Sequence, residues 1–353
     1  MAATGIEQVQ YAVVGGYTAD LSGSAVGLTS YRGTAGTTGM PALEPVDTLE
    51  LASPSYLVAH PSRPWLFAVS ESTPSSVSSV QVHHDGSLAL LSTVPSGGDA
   101  ACHLALSPDL SRLGVAHYGS GSVSSVALDA GGGLRTQDVL PLRGHGPDPE
   151  RQQGPHAHQV VWYGEELLVC DLGADRVHRL RLGLDGRLAE AGPAVALPAG
   201  SGPRHLVVLA GHLVVACELS GELWLAHQEE DGHWQALGSV PTSATTRGGP
   251  VHPSALVTDG SRLFVANRGP GTVAVFRLDA TGGRLHRTAE FPCGGSEPRD
   301  LTLAAGHLWV ANQADDRLSV FSLAFPPTGR PAFEVAVPTP TCVALLAQDK
   351  AIP

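Results

Sequence analysis

The sequence predicts an all-β protein, a single seven-bladed β-propeller over residues 1–353. Three observations carry that reading: a short apolar strand recurring at a blade-sized interval, a composition rich in glycine and proline, and a C-terminal strand with no neighbour of its own in the chain.

The recurring strand is YAVV at Tyr11, LFAV at Leu66, LGVA at Leu113, LLVC at Leu167, LVVA at Leu213, LFVA at Leu263 and LWVA at Leu308. Successive copies lie 45 to 55 residues apart, close to the roughly 40 to 50 residues of a four-stranded blade. The 42 Gly and 27 Pro, with only 15% charged and 42% hydrophobic residues, fit many short strands and tight turns around a sizeable core. Most copies lead through a small-residue turn into an alternating strand, as in GSVSSVAL from Gly121 and GTVAVFRL from Gly271. That period of two marks half-buried strands. Hairpin signals follow in HHDGSL, DAGGGL, GLDGRL, EEDGHW and ATGGRL, where Gly and Asp suit tight turns.

Six copies are preceded by a further strand, the innermost of its blade, in PSYLVAH from Pro54, CHLALS from Cys102, HAHQVVW from His156, PRHLVVL from Pro203, PSALVT from Pro253 and PRDLTL from Pro298. The copy at Tyr11 has no room for one, yet PTCVALLA from Pro340 has the right pattern and nothing after it. The C-terminal segment is therefore expected to pair with the strand near Tyr11, closing the ring and covering both open edges.

A net charge of −12, with Lys350 the sole lysine among 21 basic residues, argues against a nucleic-acid partner, which needs a clustered basic surface. No segment approaches the ~18 uninterrupted apolar residues of a membrane span, and the N-terminus lacks a leader pattern, so a soluble cytoplasmic protein is expected. The five cysteines are scattered and odd in number, which reads as reduced thiols.

Inner and second strands form antiparallel hairpins, so the start of one and the end of the other share one mouth of the channel. Strand starts carry Tyr56, His103, His156, His158, Arg204, His205, Arg299 and Thr341; strand ends carry Glu71, His117, Asp171, Glu218, Asn267, Arg268, Asn312 and Gln313. Charges beside apolar strands need partners or a wet pocket. Singly, such residues brace blades; Arg204, Glu218, Arg268 and His156 together point to a site. The polar loop RGHGPDPERQQGPH from Arg143 is either a lid or a connector at this mouth.

At these residues the chain resembles the lactonase family of seven-bladed propellers, which includes 6-phosphogluconolactonases and carboxy-muconate lactonizing enzymes. HYGSGSV from His117, RQQGPHAHQV from Arg151 with DLGADRV from Asp171, GPRHL from Gly202 with CEL, ANRG from Ala266, and PRDL with ANQ carry the resemblance in family order. It implies catalytic roles for His156, Arg204, Glu218 and Arg268, with His158 and Arg299 as their neighbours; these two, with His103, His117, Asp171, His205, Asn267 and Gln313 from the strand starts and ends, are the substrate-binding candidates. The chain departs from the family at His117, where Asn is common, and at Ala255, where an acidic residue is common.

Lactone hydrolysis needs a base for water and a donor for the oxyanion. Glu218 or His156 supplies the first, and Arg204 and Arg268 supply the second together with a fork for an anionic substrate group. The expectation is an enzyme opening an anionic sugar lactone, 6-phosphogluconolactone above all, with no cofactor. His156 and His158 have a metal-ligand spacing but no accompanying metal pattern, so no metal is expected. A muconate-type cycloisomerase and a noncatalytic binding propeller are the alternatives.

Overall fold

The computed structural model describes residues 9–35, 41–245, 249–279, 281–323 and 329–347. Seven antiparallel sheets follow one another around an axis. Blade 1 combines Val9–Gly16, Gly27–Ala35 and Pro41–Glu50 with the C-terminal Pro340–Ala347. Blades 2 to 7 are each continuous in sequence, at 54–95, 101–141, 157–196, 203–241, 252–292 and 298–336.

The ring closes as expected. Pro340–Ala347 is the inner strand of blade 1, with Tyr11 opposite Leu346, Val13 opposite Ala344 and Gly15 opposite Cys342. The remaining inner strands are Pro54–Ala59, Ala101–Leu106, Ala157–Tyr163, Pro203–Leu209, His252–Thr258 and Pro298–Ala304. Each abuts the next around the axis, the last meeting Pro340–Ala347.

Alternation along the strands explains the packing, because successive side chains point to opposite faces. Tyr11 and Val13 face blade 2, whereas Ala12 and Val14 face blade 7. Seven buried apolar clusters result, one in each gap between neighbouring blades. Trp309, Phe67 and Phe276 are among their largest fully buried members, each contributing roughly 1.5 to 3 kcal/mol by burial.

The outer hairpins carry the predicted turn chemistry. Gly86, Gly132, Gly186 and Gly232 all adopt φ between 81° and 90°, which an L side chain rarely does. Asp85, Asp129, Asp185 and Asp231 accept backbone amides within the same turns. Three of these turns are also tied to the preceding blade, where buried Ser30, Ser79 and Ser125 donate to the carbonyls of Gly86, Gly132 and Gly186 at 2.5 to 2.6 Å.

Gly15 lies where blade 1 meets blade 2, and a Cβ there would stand 2.2 Å from the Pro54 carbonyl oxygen, whereas a Cβ on Gly154 meets nothing within 4 Å. Gly15→Ala is expected to destabilise by about 1 to 3 kcal/mol through overpacking, with Gly154→Ala close to neutral. Thermal unfolding of the two variants checks this, and equal melting temperatures would refute it.

Candidate active site

Each inner strand begins with a register shift. It falls between Pro54 and Tyr56, Ala101 and His103, Ala157 and Gln159, Pro203 and His205, and Pro298 and Asp300, with its counterparts in blades 6 and 1. A bulge bends its strand and re-aims the extra side chain. The extra residues include His158, Arg204 and Arg299, so bulky polar groups stand at one height around the axis. Glu218 and Arg268 join them from the ends of second strands.

Glu218 is the hub. Its Oε1 accepts a hydrogen bond from Arg151 Nη2 at 2.7 Å, and its Oε2 lies 3.0 Å from Arg204 Nε and 2.7 Å from Arg268 Nη2. The last two contacts are ion pairs whose N–H directions miss the oxygen, leaving those nitrogens without an aligned acceptor. The Glu218 side chain is 6% exposed. Burial pushes its carboxyl up, but Arg268, Arg204 and Arg151 outweigh that and hold it down at about 2. Arg204 is lowered to about 10, first by burial and then by Arg268, and remains a cation at neutral pH. Arg299 pairs with Glu71 at 3.3 Å and lies 4.7 Å over the Tyr17 ring, while the Tyr17 hydroxyl donates to Glu71 at 2.9 Å.

In the channel the His103 and His205 rings lie 5.7 Å apart, and those of His158 and His205 5.8 Å apart. Burial, then Arg204, lowers His103 to about 3 and places His158 and His205 well below the ordinary histidine range. All three are neutral hydrogen-bonding groups at pH 7. His156 stacks on Tyr118 at 4.5 Å, and its Nδ1 donates to the Tyr118 carbonyl oxygen at 2.7 Å. That bond assigns the proton to Nδ1 and leaves Nε2 as an acceptor.

The other candidates from the sequence lie outside this cluster. His117 is held by Ser96 and Ser122. Asp171 accepts the backbone amides of His156, Gly173 and Ala174 on one oxygen and pairs with His178 on the other. Asn267 bonds to Thr242 and Thr272, and Gln313 opens a short 3-10 turn with its amide on the Glu297 carbonyl. Residues that strand geometry does not find are Arg151, Tyr17 and Tyr118, which sit on connecting segments; the RQQGPHAHQV stretch was the available signal for Arg151. The loop that bears Arg151 is itself well anchored, with Gln152 fully buried and bonded to Leu172 and Asp175. Among the described residues no group of three or more His, Cys, Asp or Glu is arranged to hold a metal ion. A cleft of about 740 Å³ lined by Trp162, Tyr163 and Leu184 lies at the opposite end of the inner strands and contains none of these groups.

A carboxyl held at about 2 instead of 4.5 stabilises the fold on the order of 3 kcal/mol above pH 4.5. Because the folded value is the lower one, that stability is lost as pH falls from 4.5 towards 2. Glu218→Gln is expected to flatten the stability profile across this window, as read by denaturant titration at several pH values; an unchanged slope would disprove the linkage.

The family described as "Lactonase, 7-bladed beta-propeller" matches residues 11–345. The 6-phosphogluconolactonase of Bacillus subtilis (strain 168) is 28% identical over 323 residues, covering 86% of this chain and 90% of that protein. A 6-phosphogluconolactonase of Formosa agariphila is 25% identical over 328 residues, covering 87% and 91%. The periplasmic gluconolactonase of Pseudomonas aeruginosa superposes with a TM-score of 0.85 at 30% identity, covering 96% of this chain and 99% of the other. With the fold, the ring closure and a match running from blade 1 to its closing strand, the chain belongs to the lactonase family of seven-bladed β-propellers.

Proposed function

We propose that the protein hydrolyses an anionic sugar lactone at the arginine-lined mouth, with 6-phosphogluconolactone as substrate and 6-phosphogluconate as product. The observation that carries this reading is the charge imbalance. Among the described residues, Arg151, Arg204, Arg268 and Arg299 converge on only two paired carboxyl groups, Glu218 and Glu71, in a chain of net charge −12. Two guanidinium charges are left for an incoming dianion, which phosphate supplies. The lactonases among its relatives support the reaction class. The five free, buried cysteines support a cytoplasmic setting, although one of those relatives is periplasmic by its description.

Accessibility divides the labour. The Arg151 and Arg268 side chains are 38% and 18% exposed and are the ones a substrate phosphate meets first, as forked donors. Arg204 is 3% exposed, with Nη1 unpartnered, and serves as a preset donor for the oxyanion. Glu218 aligns the arginines and is too acidic at about 2 to take a proton from water near neutrality. His156, with Nε2 free to accept, is the favoured base.

A lactone panel followed by proton release tests this, comparing 6-phosphogluconolactone, gluconolactone and a muconolactone. The phosphorylated sugar should give the highest kcat/KM, and preference for the muconolactone would favour the cycloisomerase branch. His156→Gln should lower kcat by roughly 10² to 10⁴ with little change in KM, the range for loss of general base catalysis. Arg268→Lys should chiefly raise KM, because the planar fork is lost while the charge stays. Activity should survive exhaustive chelation; loss restored by one divalent ion would overturn the metal-free mechanism.

A further inference from the structure

Asp300 stands on its inner strand at the same station as His103 and His205. Each is the first residue past the bulge, and each is paired with an alanine of the second strand, namely Ala311, Ala116 and Ala216. His103 and His205 come from blades 3 and 5, two apart, yet their rings approach to 5.7 Å. This station therefore faces the channel axis. Blade 7, which bears Asp300, lies across the ring from blade 4, which follows directly on His156.

The carboxyls near the mouth differ in what they hold. Glu218 meets three guanidinium groups, Asp171 has both oxygens bonded, and Glu71 holds Tyr17 and Arg299. Asp300 is 8% exposed; the Leu301 amide stands against its carboxyl, and no other side chain forms an ion pair or hydrogen bond with it among the described residues. It shares the channel with polar atoms that no protein group satisfies: both ring nitrogens of His103, Nδ1 of His158 and Nη1 of Arg204. Buried polar atoms left open in this way are completed by water or by ligand, so polar matter reaches this depth.

We propose that Asp300 is the general acid of the reaction, donating its proton to the ring oxygen as the ester bond breaks, an assignment that rests on the lactone hydrolase reading. His156 takes a proton from water while the water oxygen bonds to the carbonyl carbon. As the tetrahedral centre collapses, the bond from that carbon to the ring oxygen breaks, and the ring oxygen takes the Asp300 proton to become a hydroxyl. The new carboxylic acid ionises, the His156 proton returns to Asp300 through solvent, and one proton is released per turnover.

The surroundings suit an acid. Burial pushes Asp300 up to about 7, against the Leu301 amide and the charges of Arg204 and Arg299. The other titratable groups that face it, Tyr56 of blade 2 and Cys342 of blade 1, are themselves raised by burial and uncharged. Because the folded value lies above the unfolded one, protonated Asp300 favours the fold at low pH, and that advantage is lost as pH rises through about 7.

The test is Asp300→Asn, assayed on 6-phosphogluconolactone and on an aryl lactone whose phenolate leaving group needs no acid. Wild-type kcat/KM should decline above pH 7. The variant should lose that inflection, with kcat on the sugar lactone lower by roughly 10²-fold or more and KM little changed. The aryl lactone should be nearly spared, a selectivity that a merely structural defect would not produce. Glu218→Gln should instead raise KM and keep the inflection. Thermal unfolding at pH 8 reports folding of Asp300→Asn, which should be at least as stable as wild type; if it fails to fold, Asp300→Glu should retain the inflection at a reduced rate. Full activity of folded Asp300→Asn on the sugar lactone, an inflection that persists in it, or an Asp300→Glu without the inflection would overturn the assignment alone. A wild-type protein inert towards every lactone would instead overturn the hydrolase reading.

Discussion

The constraint on which the mouth depends is the bulge that opens every inner strand. A regular antiparallel pair would send alternate side chains into the two neighbouring gaps between blades, where the seven apolar clusters already sit. One extra residue per strand breaks the alternation at the channel end. Arg204, Arg299 and His158 are thereby lifted out of the apolar gaps and gathered around the axis. Sevenfold repetition then does for the site what a long loop does elsewhere, placing groups from distant parts of the chain at one height on a rigid frame.

Within that frame two carboxyl groups have opposite surroundings. Glu218 is buried among arginines and is held at about 2; Asp300 is buried near the uncharged Tyr56 and Cys342 and rises to about 7. Both lose hydration, so burial alone does not decide the outcome. What differs is direct contact: three guanidinium groups touch Glu218, whereas Arg204 and Arg299 act on Asp300 only from a distance. Carboxyls pushed apart in this way are the usual mark of divided roles in an active site.

The blade count, the closing strand and the hub of Arg204, Glu218 and Arg268 were legible because they follow from a repeat and from strand polarity. Residues such as His117, Asp171 and Asn267 sit at the same strand ends but turn into their own or a neighbouring blade, where serine, threonine or backbone groups satisfy them. Strand position reports height along the axis and not the direction in which a side chain points. Arg151 and Tyr118 were illegible for the converse reason, since their reach depends on how a connecting segment folds back over the mouth. Asp300 passed unnoticed within PRDL because what sets it apart is its burial at the channel, which depends on the neighbouring blades and which no spacing records.

The closing strand also has a consequence in time. Three strands of blade 1 leave the ribosome before blades 2 to 7, but their inner partner, Pro340–Ala347, follows blade 7. At about 5 to 20 residues per second, the intervening three hundred or so residues take roughly 15 to 60 s. Throughout that interval Val9–Gly16 presents an unpaired apolar edge, the kind of surface on which nascent chains associate wrongly. Blades 2 to 7 are continuous in sequence and can form as they emerge, so the period of greatest exposure to misassembly is set by the first strand waiting for the last.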